Sequence, residues 1–147
     1  MIVTPVRPVG CKWSDLSFTS TLYLVPVLDL LLGEVPSEWQ PEVRLGLQEA
    51  LVNAVKHGNA LDPCKQIAIK FSIVSPMYWW VITDEGNDLD ASSCSGGDDP
   101  TPCHDLECGR GFYILRKVFD HVHWDSEAHR LTLAKRIDRL SKPMIGC

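Results

Sequence analysis

The feature that most constrains the fold of this chain is a pair of adjacent β-type segments at residues 66–84. Apolar side chains occupy every second position of QIAIKFSIV, namely Ile67, Ile69, Phe71 and Ile73. The following segment, MYWWVITD, is rich in aromatic and β-branched residues, which are enriched in strands. Only Ser75 and Pro76 separate the two segments. The sequence therefore predicts an antiparallel hairpin.

Two segments before the hairpin have helical periodicity. Residues 22–32 repeat leucine and valine with helical spacing, and Pro26 belongs in or near the first turn of that helix. A second helix is predicted from Pro41 to His57, because proline is favoured at the first helical position. Gly58 then follows as a helix-ending residue.

The remaining regular segments complete a single α+β domain. Further strands are predicted at residues 12–20, 121–124 and 130–137, and a further helix at residues 112–120. This order predicts a two-layer sandwich, a mainly antiparallel mixed sheet with helices on one face. A chain of 147 residues fits one domain, taken as residues 1–147 with a frayed tail at 141–147.

A long segment without periodicity, residues 85–109, interrupts this pattern. It is rich in Gly, Ser, Asp and Pro, and it exceeds an ordinary connection in length. Because the segment lies between two glycine motifs, we predict that about residues 87–108 form a functional lid and not a disordered segment. Cys94, Cys103, His104 and Cys108 lie in this part of the chain. Cys103, His104 and Cys108 are potential metal ligands, but without a CxxC pair or an obvious fourth ligand, free thiols are the preferred interpretation.

The charge and the apolar runs exclude several functions. The net charge is -5 with no basic run, which argues against nucleic-acid binding as the main task. No apolar run approaches the roughly 18 residues that a membrane span needs, and the N-terminus lacks the order of a secretory signal. We therefore expect a cytoplasmic protein with no nucleic-acid or membrane partner, whose cysteines are reduced.

The segment QEALVNAVKHGN, residues 48–59, carries the first candidate site residues. Glu49, Asn53 and His57 recur at intervals of four, which places them on one helix face. A solvated helix face is one interpretation, and the wall of a binding site is the other. In a site, Glu49 has the chemistry of a general base and Asn53 that of an oxygen ligand for Mg²⁺.

Two glycine motifs follow. In ITDEGND, Asp84 ends the aromatic strand just before Gly86, and the glycine lets a flat ligand approach the backbone. An exocyclic amine, such as that of adenine, could then donate a hydrogen bond to the Asp84 carboxylate. In ECGRGF, Gly109 and Gly111 flank Arg110 and open a helix, where free amides and the Arg charge suit phosphates. A simple turn and a glycine-rich helix start are the alternatives.

In combination these motifs resemble those of the GHKL superfamily. The order is ExxxNAxxHG, then DxG at the end of a strand, then a lid and a GxG. Over residues 45–135 it is similar to the Bergerat-fold ATP-binding domain of DNA gyrase, a heat-shock chaperone, histidine kinases and anti-sigma factors. The form EALVNAVKHGN looks most like the stand-alone anti-sigma factor serine/threonine kinases of bacteria. The resemblance implies ATP and Mg²⁺ as cofactors.

The resemblance also implies a role for each motif residue. Glu49 would be the general base and Asn53 the Mg²⁺ ligand, while His57 would support the helix end and the lid near the nucleotide. The adenine reader and its backbone neighbour would be Asp84 and Gly86. The residues holding the phosphates would be Gly109, Arg110 and Gly111.

Two departures from the family pattern affect the base and lid regions. Asp88 stands where the family often has a second glycine, and Ala128 and His129 stand where it often has Gly and a hydroxyl residue. The family's adenine contacts through the last strand therefore do not carry over directly to this sequence.

The partners are likewise implied by the resemblance. In that family the kinase phosphorylates a small anti-sigma factor antagonist protein on Ser or Thr, holds a sigma factor and switches between them. A homodimer through the sheet is expected, with Trp13, Tyr78 and the histidines of HVHW contributing. The two histidines of HVH would lie on one strand face, as pairs of metal ligands can. A surface strand is the simpler explanation of this spacing. The alternatives to a kinase are a non-catalytic ATP-binding module that sequesters a partner and an ATPase that uses Glu49 on water.

Overall fold

The fold comes from a computed structural model, which describes residues 13–74, 76–86, 106–138 and 143. The described elements are, in chain order, β1 (Ser14–Thr19), α1 (Val25–Leu32), α2 (Gln40–Asn53), a π-helical turn (Ala54–Gly58), β2 (Gln66–Val74), β3 (Met77–Asp84), α3 (Leu106–Val118), β4 (His121–Asp125) and β5 (Arg130–Arg136).

The described strands form one five-stranded sheet in the order β1-β2-β3-β5-β4. Each neighbouring pair in this sheet is antiparallel. The predicted hairpin is present, since Val74 pairs with Met77 at its tight end and Ile67 with Asp84 at its open end. The predicted α+β fold with a mainly antiparallel sheet is therefore confirmed.

The core lies between one face of the sheet and the helices. In β3 the side chains of Tyr78, Trp80 and Ile82 are buried, while those between them are only partly covered, as the period of two requires. Phe119, just after α3, packs edge-on against Trp80 with 5.7 Å between ring centroids. The buried residues of α1 and α2 that complete this cluster include Leu28, Leu31, Val43, Leu47 and Leu51.

The core location of Tyr78 corrects one expectation. Its side chain faces the helices and is buried, so it is not available to a dimer contact through the open face of the sheet. Burial raises the pKa of its hydroxyl, and the negative charge of Glu34 raises that pKa further.

A buried ion pair joins three elements on the helix-facing side. Lys135 of β5 lies 3.3 Å from a carboxylate oxygen of Glu42 in the first turn of α2. The same ammonium donates to the carbonyl of Val118 at the end of α3 and lies 5.0 Å from the centroid of the Trp39 ring. The start of α2 and the end of α3 are thereby attached to β5.

The second helix ends differently from the prediction. The α-helix stops at Asn53, and residues 54–58 form a π-helical turn, closed by Asn59 N donating to Ala54 O at 2.8 Å. Ala60 and Leu61 then take φ values of 52° and 62°, a left-handed conformation that reverses the chain towards β2. Neither residue type signals such a reversal in the sequence.

The helix after the predicted lid begins at Leu106, earlier than predicted. Gly109 and Gly111 therefore lie within its first two turns and do not open it, which corrects the sequence interpretation. Most of the predicted lid, with Asp88, Cys94, Cys103 and His104, lies outside the described residues, and so does nearly all of the tail. In the part of the chain that is described, no helix is both long and apolar enough to cross a membrane.

Candidate functional site

Glu49 and Asn53 lie one turn apart on α2, and both side chains are half-buried. The helical spacing predicted from the sequence is present for these two residues. His57, also half-buried, belongs to the π-helical turn. Because that turn closes with a longer hydrogen-bonded ring than an α-helix, His57 does not continue a regular α-helical stripe.

Gly111 of α3 packs directly against Asn53. A Cβ added at Gly111 would lie 2.8 Å from Asn53 Nδ2, closer than a real Cβ approaches such an atom. The buried glycine therefore allows α3 to approach the predicted metal ligand on α2. The sequence assigned Gly111 to the phosphates, and the structure gives it this packing contact as well.

Asp84 ends β3 with its carboxylate buried, as a base-reading residue requires. The amide of Gly86 donates to Asp84 Oδ1 at 2.8 Å. The other carboxylate oxygen faces Gly58, where an added Cβ would come within 2.1 Å of Oδ2. The glycine that ends the first motif thus makes room for the aspartate of the second, so the two motifs are in direct contact.

Asn59 connects the same elements and was missed by the sequence analysis. Its side chain is fully buried. It accepts a hydrogen bond from Glu85 N at 2.9 Å and donates to Gln66 O at 3.2 Å. Lys65 donates to the carbonyl of Gly86. These contacts hold the turn after Asp84 against the end of the π-helical turn, and the only sequence signal was an Asn directly after HG.

His129 covers the turn after Asp84. Its Nδ1 lies 3.3 Å from Asp84 Oδ1, and its Nε2 would lie 2.7 Å from a Cβ added at Gly86. Gly86 has a φ of 76°, so both its backbone and its surroundings favour glycine. The sequence marked His129 only as a departure, whereas the structure places it against both predicted base-binding residues.

The predicted phosphate-binding residues are described only in part. The backbones of Gly109 and Arg110 lie in α3, and the side chain of Arg110 is outside the described residues. Their contact with phosphates stays a prediction, as do the roles of Glu49, Asn53 and His57.

The candidate site offers few side chains that could bind a metal ion. Among the residues that the structure describes, no three or more His, Cys, Asp or Glu side chains cluster in a way that could hold a metal ion. Mg²⁺ typically takes only one or two protein ligands, with phosphates and waters completing its shell. The amide oxygen of Asn53, half-buried beside Glu49, fits such a sparse site.

The two histidines of HVHW lie on the open face of the sheet, away from this site. Their rings stack with 6.4 Å between centroids, and Trp79 lies 5.8 Å from His121. Burial lowers the pKa of His121, and the nearby His123 lowers it further. The buried Nε2 of His121 and Nε1 of Trp79 have no hydrogen-bond partner within the described structure.

The geometry agrees with comparisons to known proteins. Residues 29–135, more than half of the chain, match the family described as the histidine kinase-like ATPase domain. A segment of 86 residues is 27% identical to the serine-protein kinase RsbW of Bacillus subtilis (strain 168). The match covers 55% of this chain and 54% of RsbW, so it spans about half the length of that relative.

Proposed function

The chain belongs to the histidine kinase-like ATPase domain family, and from this premise we propose that it is an anti-sigma factor type serine/threonine protein kinase. It binds ATP with Mg²⁺ and phosphorylates a small antagonist protein on Ser or Thr. The observation that carries the proposal is the junction of the two motifs, where the carboxylate of Asp84 lies between Gly58 and the amide of Gly86. The name of the similar protein, serine-protein kinase RsbW, supports the reaction.

The base-binding end of the site is built on Asp84. Its Oδ1 is already oriented by the Gly86 amide, so the carboxylate presents a fixed acceptor to an exocyclic amine such as that of adenine. Gly86 itself carries no side chain that would keep a flat ring away from its backbone. Asn59 and Lys65 fix the turn on either side, which pre-organises the acceptor before the nucleotide binds.

The reacting end is built on α2. ATP supplies the phosphoryl group, and Mg²⁺ supplies charge neutralisation when bound. Asn53 would hold the metal through its amide oxygen, with Gly111 packed behind it. Glu49, one turn away, would accept the proton of the Ser or Thr hydroxyl. The hydroxyl oxygen bonds to the γ-phosphorus, the bond from that phosphorus to the β–γ bridging oxygen breaks, and ADP leaves.

The partners follow from the same proposal. We place the protein in a cytoplasmic partner-switching system in which it binds the antagonist and a sigma factor, as a homodimer formed through the sheet. His121, His123 and Trp79 lie on the open sheet face that such a dimer would use.

A second candidate is a non-catalytic ATP-binding module that sequesters its partner. The contact of His129 with Asp84 favours it, because a histidine stands here in place of the family's usual hydroxyl residue and changes the base-binding end of the site.

A phosphotransfer assay separates the two candidates. The protein is incubated with γ-labelled ATP, Mg²⁺ and each small antagonist protein encoded in the same genome. We expect label to appear on Ser or Thr of one antagonist, and Glu49→Gln to abolish transfer while retaining ADP binding. Gln48→Ala, a neighbouring exposed position on α2, is the matched control and should transfer normally. ADP binding without transfer to any antagonist would favour the sequestering module, and transfer by Glu49→Gln at the wild-type rate would refute Glu49 as the base.

A further inference from the structure

His129 is fixed next to Asp84 through its backbone. The carbonyl of His129 accepts a hydrogen bond from Asp84 N at 3.1 Å, immediately before β5 begins. The residue has a φ of 51°, a left-handed conformation that is uncommon for histidine. The Trp124 ring lies edge-on to the imidazole, with 6.0 Å between centroids. The direction of the side chain is therefore set by the fold and by an aromatic neighbour.

The imidazole separates the Asp84 carboxylate from solvent. The side chain of Asp84 is 4% exposed, and that of His129 is 33% exposed. One ring nitrogen lies 3.3 Å from Asp84 Oδ1, and the other lies against the face of Gly86. A flat nitrogen-containing ring thus already contacts the two residues that a purine base would contact.

The two rings compete for the same place. A proton on Nδ1 of His129 would be donated to the oxygen that the exocyclic amine of a base would otherwise use. A base that approaches Gly86 closely would overlap the imidazole, because even a single Cβ at Gly86 would lie 2.7 Å from Nε2.

From this competition we infer that His129 sets how strongly the base contributes to nucleotide binding. It occupies the base subsite in the nucleotide-free protein, and the nucleotide binds by displacing the imidazole from Asp84. The inference rests on the proposed ATP-binding function and adds to it a residue that weakens base binding. Because a ligand binds more weakly when only a fraction of the protein is open to it, removal of the imidazole strengthens binding of base-bearing ligands alone.

The test compares two ligands on three proteins by calorimetric titration. The ligands are ADP and inorganic tripolyphosphate, both with Mg²⁺, and the proteins are the wild type, His129→Gly and Ser126→Ala. Glycine suits the positive φ at position 129, so the backbone is not strained. Ser126 is exposed in the same turn between β4 and β5, which makes Ser126→Ala the matched control.

We expect His129→Gly to bind ADP about tenfold more tightly than the wild type, because the imidazole no longer competes with the base for Asp84. Tripolyphosphate binding should be unchanged, and Ser126→Ala should match the wild type with both ligands. Unchanged or weaker ADP binding by a folded His129→Gly protein would overturn the inference, as would an equal gain for tripolyphosphate.

A second measurement needs no folded variant at position 129. The ring-nitrogen NMR signals of His129 are assigned by elimination, with His123→Ala and other variants that each replace one histidine. In the wild type, these signals should shift when ADP is added and stay unchanged with tripolyphosphate. No shift on saturation with ADP would overturn the inference. Absence of ADP binding by both the wild type and His129→Gly would overturn the proposed function together with it, whereas ADP binding without a gain in the variant overturns only the role of His129.

Discussion

Gly58 and Asp84 are in direct contact, although they are 26 positions apart in the sequence: a Cβ on Gly58 would lie 2.1 Å from Asp84 Oδ2. The end of the π-helical turn therefore supports the end of β3 from behind. Asn59, the next residue, reinforces this junction through Glu85 N. The position of the buried carboxylate depends on the absence of a side chain at position 58.

We predict that Gly58→Ala prevents ADP binding and lowers the free energy of unfolding by about 1–3 kcal/mol, because the methyl group overlaps a buried carboxylate. The measurements are ADP titration and urea denaturation. Gly33→Ala is the control, since an added Cβ there meets nothing closer than 3.6 Å. Equal ADP affinity for Gly58→Ala and the wild type would contradict the assigned position of Asp84.

A second prediction concerns Gly111 and Asn53. Gly111→Ala should destabilise the protein by about 1 kcal/mol or more and weaken Mg²⁺-dependent ADP binding, because the new Cβ displaces the Asn53 amide. In an Asn53→Ala background the same substitution should cost less, since the overlapping atoms are gone. Unfolding free energies of the two single variants and the double variant give the coupling. A coupling of zero would show that Gly111 is required for another reason.

The buried ion pair gives a third prediction. Lys135→Met should lower the free energy of unfolding by about 3 kcal/mol, because it removes the cation beside the buried carboxylate of Glu42. Adding Glu42→Gln should recover part of this loss. Lys70→Met breaks the exposed pair with Asp15 at 4.0 Å and should cost less than about 1 kcal/mol. Similar losses for the two lysine variants would mean that the buried pair has no special role.

Much of the fold could be predicted because alternation and helical spacing record which side of each element is buried. The alternation of residues 66–74 predicts one buried face, and Ile69 is indeed buried together with its hairpin partner Ile82. The π-helical turn could not be predicted, because it depends on a tertiary junction around the buried Asn59 and on left-handed Ala60 and Leu61.

The candidate site was predictable in the same partial way. Motif order predicted Asp84 and Gly86 as base-binding residues, and the structure places Gly58, which was predicted only to end a helix, against Asp84. The contact of His129 with Asp84 arises from β3–β5 pairing, which brings Thr83 opposite Arg130. A residue 45 positions away thereby reaches the site without any local signal in the sequence.

The last prediction concerns pH and the open face of the sheet. Burial and the neighbouring His123 lower the pKa of His121 in the folded protein below the ordinary value of 6.5. At a pH near that value, the His121 ring is therefore protonated less often in the native state than in the unfolded state. The contribution of the His121 ring to the free energy of unfolding is therefore fully present above that pH. It is lost as the pH falls through the lower pKa of the folded protein. The free energy of unfolding should fall from pH 8 to pH 5 in the wild type and fall less in His121→Gln. His123→Gln, which removes only the secondary cause, should lie between the two, and an identical pH dependence for wild type and His121→Gln would show that His121 does not contribute.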